Sequence, residues 1–339
     1  MSDKILIEAV PNFSEGNNLK IIAEIENAIK TTAGVVFKGC DIGKSANRTV
    51  MTFYGSPDDV CNAAFNAVKK AAELINMNNH KGEHPRIGAT DVLPLIPLKN
   101  ISLAQTSEYA RKLSQRIGDE LEIPVYCYEE SAFCPERKNL EFCRKGEYEG
   151  LSQKLTQDNW KPDFGPSQLK NNAGLTVCGA RNFLIAYNIN LSTKLVKTAK
   201  MIAGEIRESG FIDKNHKGET VKRKGLLKNV KAIGWYMEEF KTMQVSMNLT
   251  NYLETPLWQV FETAKLLARK YSVQITGSEL VGLIPEDCIL DAGRYYLSNY
   301  KFEKFDVQNK EAIIDAAIEY LGLNSVKDFD KEKNILRID

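Results

Sequence analysis

The chain has 339 residues, 43% of them hydrophobic and 26% charged, enough for a sizeable core and two domains. Lys and Arg number 45 against 44 Asp and Glu, a net charge of +1. That balance excludes the broad basic field of a nucleic-acid or membrane binder, so any anion site must come from a local cluster. No apolar run reaches the ~20 residues of a membrane helix. The start, which meets Pro11 early, lacks the apolar stretch and cleavage site of a secretory signal. Seven cysteines, widely spaced and without a CxxC pair, read as reduced thiols of a cytoplasmic protein, not as a zinc ribbon or disulfide framework.

Taken in order, Ile5–Val10 reads as a strand. A helix follows from about Asn18 to Lys30, with Ile21, Ile22, Ile25, Ala28 and Ile29 on one face. Strands come next at Val35–Cys40 and Thr49–Tyr54. Ser56-Pro57-Asp58-Asp59 then opens a helix: a capping hydroxyl, a proline suited to the first turn, and two acids at the positive helix end. Val60, Ala64, Ala67, Val68, Ala71 and Ile75 give that helix a buried face, and a strand lies within Asp91–Leu98. The second half runs in the same order. It has a strand at Phe183–Asn190, a helix at Lys194–Arg207, strands at Val230–Tyr236 and Gln244–Leu249, a helix opened by Thr255-Pro256, and a strand at Val273–Thr276. Such a repeat predicts an α/β (α+β) protein made of two duplicated ferredoxin-like βαββαβ subdomains with a ligand groove between them. Glu130–Gly179, rich in Gly and Pro, reads as too polar and broken for a core element, and Asp213–Lys231 reads as a polar insertion.

Histidines are scarce: His80, His84 and His216. Histidine is the usual acid-base side chain near neutral pH, so the search narrows to His80-Lys81-Gly82-Glu83-His84-Pro85-Arg86. The spacing fits the H-x-x-E-H zinc pattern, but that pattern needs both rings on one continuous helix. Gly82 interrupts it, and Pro85 disfavours helical backbone at His84. A metal site is therefore not expected. What remains is either a positioned general base or a surface histidine with one backbone hydrogen bond, and spacing alone favours the surface histidine. Cys40-Asp41-Ile42-Gly43-Lys44-Ser45-Ala46-Asn47-Arg48 links two strands, either as a plain hairpin turn or as the edge of a groove. Pro162-Asp163-Phe164-Gly165-Pro166-Ser167, with Gly174 and Gly179-Ala180-Arg181, offers backbone that can approach a flat or anionic ligand closely. GxxxxGK[ST] and GxGxxG are absent.

At these segments the sequence resembles the formiminotransferase family, comprising glutamate formimidoyltransferases and the transferase domain of formimidoyltransferase-cyclodeaminase. The resemblance is carried by Val10-Pro-Asn-Phe-Ser-Glu-Gly16, Asn47-Arg-Thr-Val50, His80 to Arg86, Gly88-Ala89, Asp91-Val92, Pro94 and Gly146-Glu-Tyr-Glu149. It continues through Pro162 to Ser167, Gly179-Ala-Arg181, Ile233-Gly-Trp-Tyr236 and Leu280-Val-Gly-Leu283. It runs from about residue 6 to about residue 325.

The resemblance implies transfer of the formimino group from N-formimino-L-glutamate to tetrahydrofolate in histidine degradation, by a cytoplasmic homodimer with tetrahydrofolate as co-substrate and no metal. It implies subdomains at 1–179 and 180–326 and a tail at 327–339. His84 is the implied catalytic residue, with Asp41 orienting it or holding the cationic amidine. The folate segment falls on Gly165, Pro166, Ser167, Gln168, Leu169, Lys170, Asn171, Asn172, Ala173 and Gly174, where Gln168–Ala173 is more polar than the family pattern. Arg48, Arg86 and Arg181 are candidates for substrate carboxylates by bidentate pairing. The chain lacks the cyclodeaminase domain of bifunctional relatives, so release of 5-formiminotetrahydrofolate is expected. Formyl transfer between 5-formyltetrahydrofolate and glutamate by the same site is the alternative reaction. A non-catalytic folate-binding module is the alternative of another class, and the intact His84-Pro85-Arg86 counts against it.

Overall fold

A computed structural model describes residues 4–44, 46–82, 84–214, 216, 218–238, 241–300 and 308–337. Ser45 and Glu83, which fall within two of the motifs above, lie outside the described residues. The chain divides into two units, Met1–Asn182 and Phe183–Asp339.

In the first unit the elements are β1 (Leu6–Ala9), β2 (Asn12–Phe13), α1 (Leu19–Lys30), β3 (Val35–Gly43), β4 (Arg48–Gly55), α2 (Pro57–Leu74), β5 (Thr90–Lys99), α3 (Leu103–Leu121), β6 (Val125–Glu129), α4 (Leu140–Arg144), α5 (Leu151–Lys154) and β7 (Thr176–Ala180). Strands β1 and β2 continue one another across Pro11, and both pair antiparallel with β4 on one side and β5 on the other. Beyond β4 lies β3, antiparallel. Beyond β5 the sheet continues with β7 and then β6, both parallel. The α2 start follows the local chemistry: Ser56 Oγ accepts from Asp59 N at 3.3 Å, Pro57 fills the first turn, and Asp58 and Asp59 face the helix dipole.

In the second unit the elements are β8 (Ile185–Leu191), α6 (Val196–Ile206), β9 (Phe211–Lys214), β10 (Thr220–Arg223), β11 (Val230–Met237), β12 (Thr242–Leu249), α7 (Leu257–Lys270), β13 (Ile275–Val281), β14 (Ile284–Pro285), α8 (Glu286–Asn299), α9 (Lys310–Leu321), α10 (Lys331–Asn334) and β15 (Ile335–Leu336). Its main sheet runs β11-β12-β8-β13, all antiparallel. The order, sense and intervening helices match those of β3-β4-β1-β5 in the first unit. One detail differs between the two proline-opened helices. Pro256 itself is the N-cap of α7, and Thr255 instead donates to Lys228 O at 2.8 Å.

Three expectations change. The Glu130–Gly179 stretch contains β7, buried along its whole length between β5 and β6. Leu175-Thr-Val-Cys-Gly-Ala180 is a short continuous run of the kind that suits a parallel strand covered on both faces, and its flanking glycines disguise it. The same stretch supplies Cys143, Leu151, Leu155 and Trp160 to a core patch with Tyr126, Tyr128 and Val177. The polar insertion at Asp213–Lys231 holds β10, whose hairpin partner β9 starts just before it. The expected tail includes β15, which pairs parallel with β14 through the buried Ile335 and Leu336.

Helices α1, α2 and α3 cover one face of the first sheet, where Ile7, Ala9, Met51, Phe53, Leu93 and Leu95 enter the core. Side chains alternate along strands, so Glu8, Asn12, Arg48, Thr52 and Tyr54 point to the opposite face. The candidate site residue Arg48 and its partner Asn12 lie on that face. No helix among the described residues is long and apolar enough to cross a membrane.

If the Leu175–Ala180 run is core, Leu175→Ala should lower unfolding stability by about 2–5 kcal/mol, as cavity formation does at fully buried leucines. Urea unfolding of the variant measures it, and an effect under about 0.5 kcal/mol, the range of surface substitutions, would return the segment to the surface.

Candidate active site

Three loops converge on His84, and named bonds hold them. Asn47, in left-handed backbone at φ 47°, accepts on Oδ1 from Gly16 N at 2.8 Å and donates from Nδ2 to Lys81 O at 2.8 Å. It ties the Val10–Gly16 motif and the hairpin turn to the histidine loop. Gly82 lies so close to Ala46 that an added Cβ would sit 2.4 Å from its carbonyl oxygen.

His80 fastens the start of the loop. Its Nδ1 accepts from Arg86 Nε at 3.1 Å, so the other nitrogen carries the proton and donates to Asn47 O at 2.8 Å. Both nitrogens are committed to protein groups. This disposes of the zinc reading of H-x-x-E-H, which needs a free lone pair on each ring. Among the described residues no group of three or more His, Cys, Asp or Glu could hold a metal ion.

Arg86 departs from its expected part. Its guanidinium is buried and donates to Glu147 at 2.9 Å, to Glu149 at 2.8 and 2.6 Å, and to His80 O at 3.1 Å. Two carboxylates already saturate it, so it braces the loop instead of meeting a substrate carboxylate.

Beside His84 sits a charge cluster. Arg48 donates through Nε and Nη2 to Asn12 Oδ1 at 2.9 and 2.7 Å, and through Nη1 to Asp91 Oδ2 at 2.8 Å. Arg144 grips the same carboxylate through Nε and Nη2. Ile87 N donates to Asp91 Oδ1 at 3.0 Å. Burial disfavours the Asp91 charge, but Arg144 and Arg48 outweigh it and hold the carboxyl below its usual range. Arg144 is itself clamped: buried Lys154 donates to the carbonyls on either side, Cys143 O at 2.7 Å and Lys145 O at 3.0 Å, with its ammonium 4.0 Å from the Trp160 ring centroid. Burial brings the Lys154 pKa down to about 8.

His84 Nδ1 lies 2.8 Å from Pro85 O and 3.1 Å from Arg48 Nη1. Pro85 O can only accept and Arg48 Nη1 can only donate, so the two contacts call for opposite tautomers of the neutral ring, and in either one a ring nitrogen keeps its lone pair. Burial first, then the Arg48 charge, drives the His84 pKa from 6.5 to about 4, against the opposing pull of the Pro85 hydrogen bond. The ring is therefore a neutral base at pH 7.

Asp41 is exposed on β3, paired in register with Val50, which puts it on the Arg48 face of the hairpin. The carboxylate that neighbours His84 and Arg48 is Asp91. Arg181 follows β7; its backbone N donates to Leu95 O, and Nη1 donates to Asn182 O at 2.9 Å.

Gly165–Gly174 forms a loop of two halves. Gly165, at φ +80°, packs against Gly118, and Ser167 and Gln168 are exposed. Leu169 packs on the Trp160 patch, and Lys170 pairs with Glu122. The second half is laced to the histidine loop. Asn172 O accepts from Met77 N at 2.9 Å, Ala173 O accepts from Ala89 N at 2.7 Å, and Gly174 bridges Gly88. Asn12, Asp91, Arg144 and Lys154 were not singled out as functional from sequence. Only Asp91 carried a signal, as an acid at the head of an otherwise apolar strand.

Comparison with known proteins now decides the family. The family described as formiminotransferase domain, N-terminal subdomain, matches residues 6–181, and that described as formiminotransferase domain matches residues 186–338. The chain belongs to the formiminotransferase family. It is 44% identical over 332 residues to formimidoyltransferase-cyclodeaminase of Dictyostelium discoideum and 45% identical over 332 residues to that of Mus musculus, in each case over 98% of this chain and 59% of the relative. The chain thus spans little more than half the length of those relatives. It is 41% identical over 301 residues to glutamate formimidoyltransferase of Streptococcus pyogenes serotype M1, over 89% of this chain and 95% of that one.

Replacing Arg48 by Met removes the nearest cation, so the His84 pKa should rise from about 4 toward 6.5, as an NMR titration of the ring will read. A pKa that stays near 4 contradicts this account. Asp91→Asn leaves two largely buried guanidinium groups without their carboxylate and should cost about 3–5 kcal/mol in chemical denaturation.

Proposed function

We propose that the chain transfers the formimino group of N-formimino-L-glutamate to tetrahydrofolate, giving 5-formiminotetrahydrofolate and L-glutamate, a step of histidine degradation. The observation that carries the proposal is the His84 ring, held neutral beside Pro85 O and Arg48 in a chain of this family; the reading takes Nδ1 as the protonated nitrogen and Nε2 as the base.

In this reading N5 of tetrahydrofolate attacks the formimino carbon. His84 Nε2 takes the proton from N5 as the tetrahedral adduct forms. The same nitrogen then gives that proton to the glutamate nitrogen as the carbon–nitrogen bond breaks, so one ring serves both transfers. A ring with a low pKa is a weak base but a strong acid, which suits the second transfer, onto a poor leaving group. Asp41 holds the cationic amidine; its exposure on the Arg48 hairpin supports that part. Arg48 sets the His84 charge state, while Arg181 takes a substrate carboxylate. The loop Gly165–Gly174, exposed at Ser167, Gln168 and Lys170 to Asn172, receives the folate, and its bonds to residues 77–89 keep it beside the histidine loop. The proposal extends, on the family resemblance alone, to a cytoplasmic homodimer.

The test is formimino transfer with and without tetrahydrofolate, beside N-formylglutamate as competing donor. Wild type should require tetrahydrofolate. His84→Ala should lower kcat by about 10²–10⁴ while binding of 5-formyltetrahydrofolate changes little. Turnover of the variant within a few fold of wild type rules out the role given to His84.

A further inference from the structure

One buried acid lies outside the machinery above. Glu8 on β1 is 1% exposed, and neither of its carboxyl oxygens has a hydrogen-bond partner among the described residues. Ile7 and Ala9 enter the helix-covered core, so Glu8 points to the opposite face, where Asn12 and Arg48 lie. Burying a carboxyl with no partner is costly, and native structures rarely leave such a group unsatisfied. A packing role would have favoured an apolar residue. Burial raises the Glu8 pKa to about 8, and the Arg181 charge offsets this only in part.

Placement says what Glu8 can meet. It pairs in register with Tyr54, and Asn12, which holds Arg48, pairs with Val50. Four residues of strand separate the two positions, ~13 Å at ~3.3 Å per residue. The formimino carbon reacts beside His84, so the amidine lies too near that ring to reach Glu8. The pterin is different: its 2-amino group and N3–H form a paired donor edge one fused ring away from N5. A carboxylate bound to that edge leaves N5, on the other ring, free to react.

We propose that Glu8 binds the 2-amino and N3–H edge of the tetrahydrofolate pterin through both carboxyl oxygens, positioning N5 at His84. The inference rests on the formimino-transfer reading, and it makes Glu8 a substrate-binding residue. A carboxylate facing two N–H donors in a water-poor site is a strong, directional arrangement.

The experiment uses the full chain and begins with wild-type turnover. A wild type that transfers no formimino group defeats the reaction proposed above. An active wild type allows Glu8→Gln to be judged separately. This isosteric variant puts an NH2 group where the pterin also offers donors. The KM for tetrahydrofolate should rise about tenfold or more, with kcat and the KM for formiminoglutamate within about threefold. Unchanged tetrahydrofolate KM overturns the inference, whether or not the thermal midpoint moves. So does a rise confined to formiminoglutamate. A measurement on wild type stands should the variant fail to fold: difference infrared spectra on adding 5-formyltetrahydrofolate should show a protonated carboxyl band replaced by a carboxylate band. No change in either band overturns it as well.

Discussion

One carboxylate shared by two arginines organises the first unit. Asp91 is buried at the head of β5 and accepts from Arg48, Arg144 and the Ile87 amide. Two cations against one anion leave an excess positive charge beside the His84 imidazole. Burial is the larger reason the ring stays neutral, and this imbalance adds to it. The same cluster joins three distant pieces of chain: the β4 start, the β5 start and the end of α4. Electrostatics and architecture therefore cannot be separated here.

Around that cluster the supports form successive layers. Asn12 holds Arg48 from the strand beside it, and Lys154 fixes the peptide groups on both sides of Arg144. On the other flank, Arg86 and His80 hold the loop from behind, and Asn47 ties it to the hairpin. The His84 ring rests beside Pro85 O and Arg48 on backbone that is already pinned.

Much of the fold was legible in the sequence because its signals are local. The strand-helix alternation and the proline-opened helices appear in the expected order in both units, most ends within two residues, while β3 runs three residues further to Gly43 and β13 five further to Val281. Helix α3 and strand β6 were passed over despite the Ser102 capping box and a clear amphipathic face, since no turn motif flags them. Strand β7 was hidden between glycines. Helices α8 and α9 were not singled out either; they pack on each other and bring Ile313, Ile314 and Leu321 into the second core. The site was legible in part. The scarcity of histidine narrowed the search to His80–Arg86, and the family resemblance pointed to His84 within it. Asp91 was not singled out, because its contact with Arg48 is made across the sheet from residues 43 positions apart. The commitment of Arg86 depends on Glu147 and Glu149, more than 60 positions away. Long-range ion pairs leave no periodicity to read.

The tight fit of Gly82 against Ala46 has a consequence for how this loop can diversify. With His80 bolted down at one end and Ile87 at the other, the span between is a crank of set length. Substitution at its outward positions is tolerable. Inserting or deleting one residue there would swing the imidazole away from Arg48 and Asp91 while leaving the hydrophobic interior undisturbed.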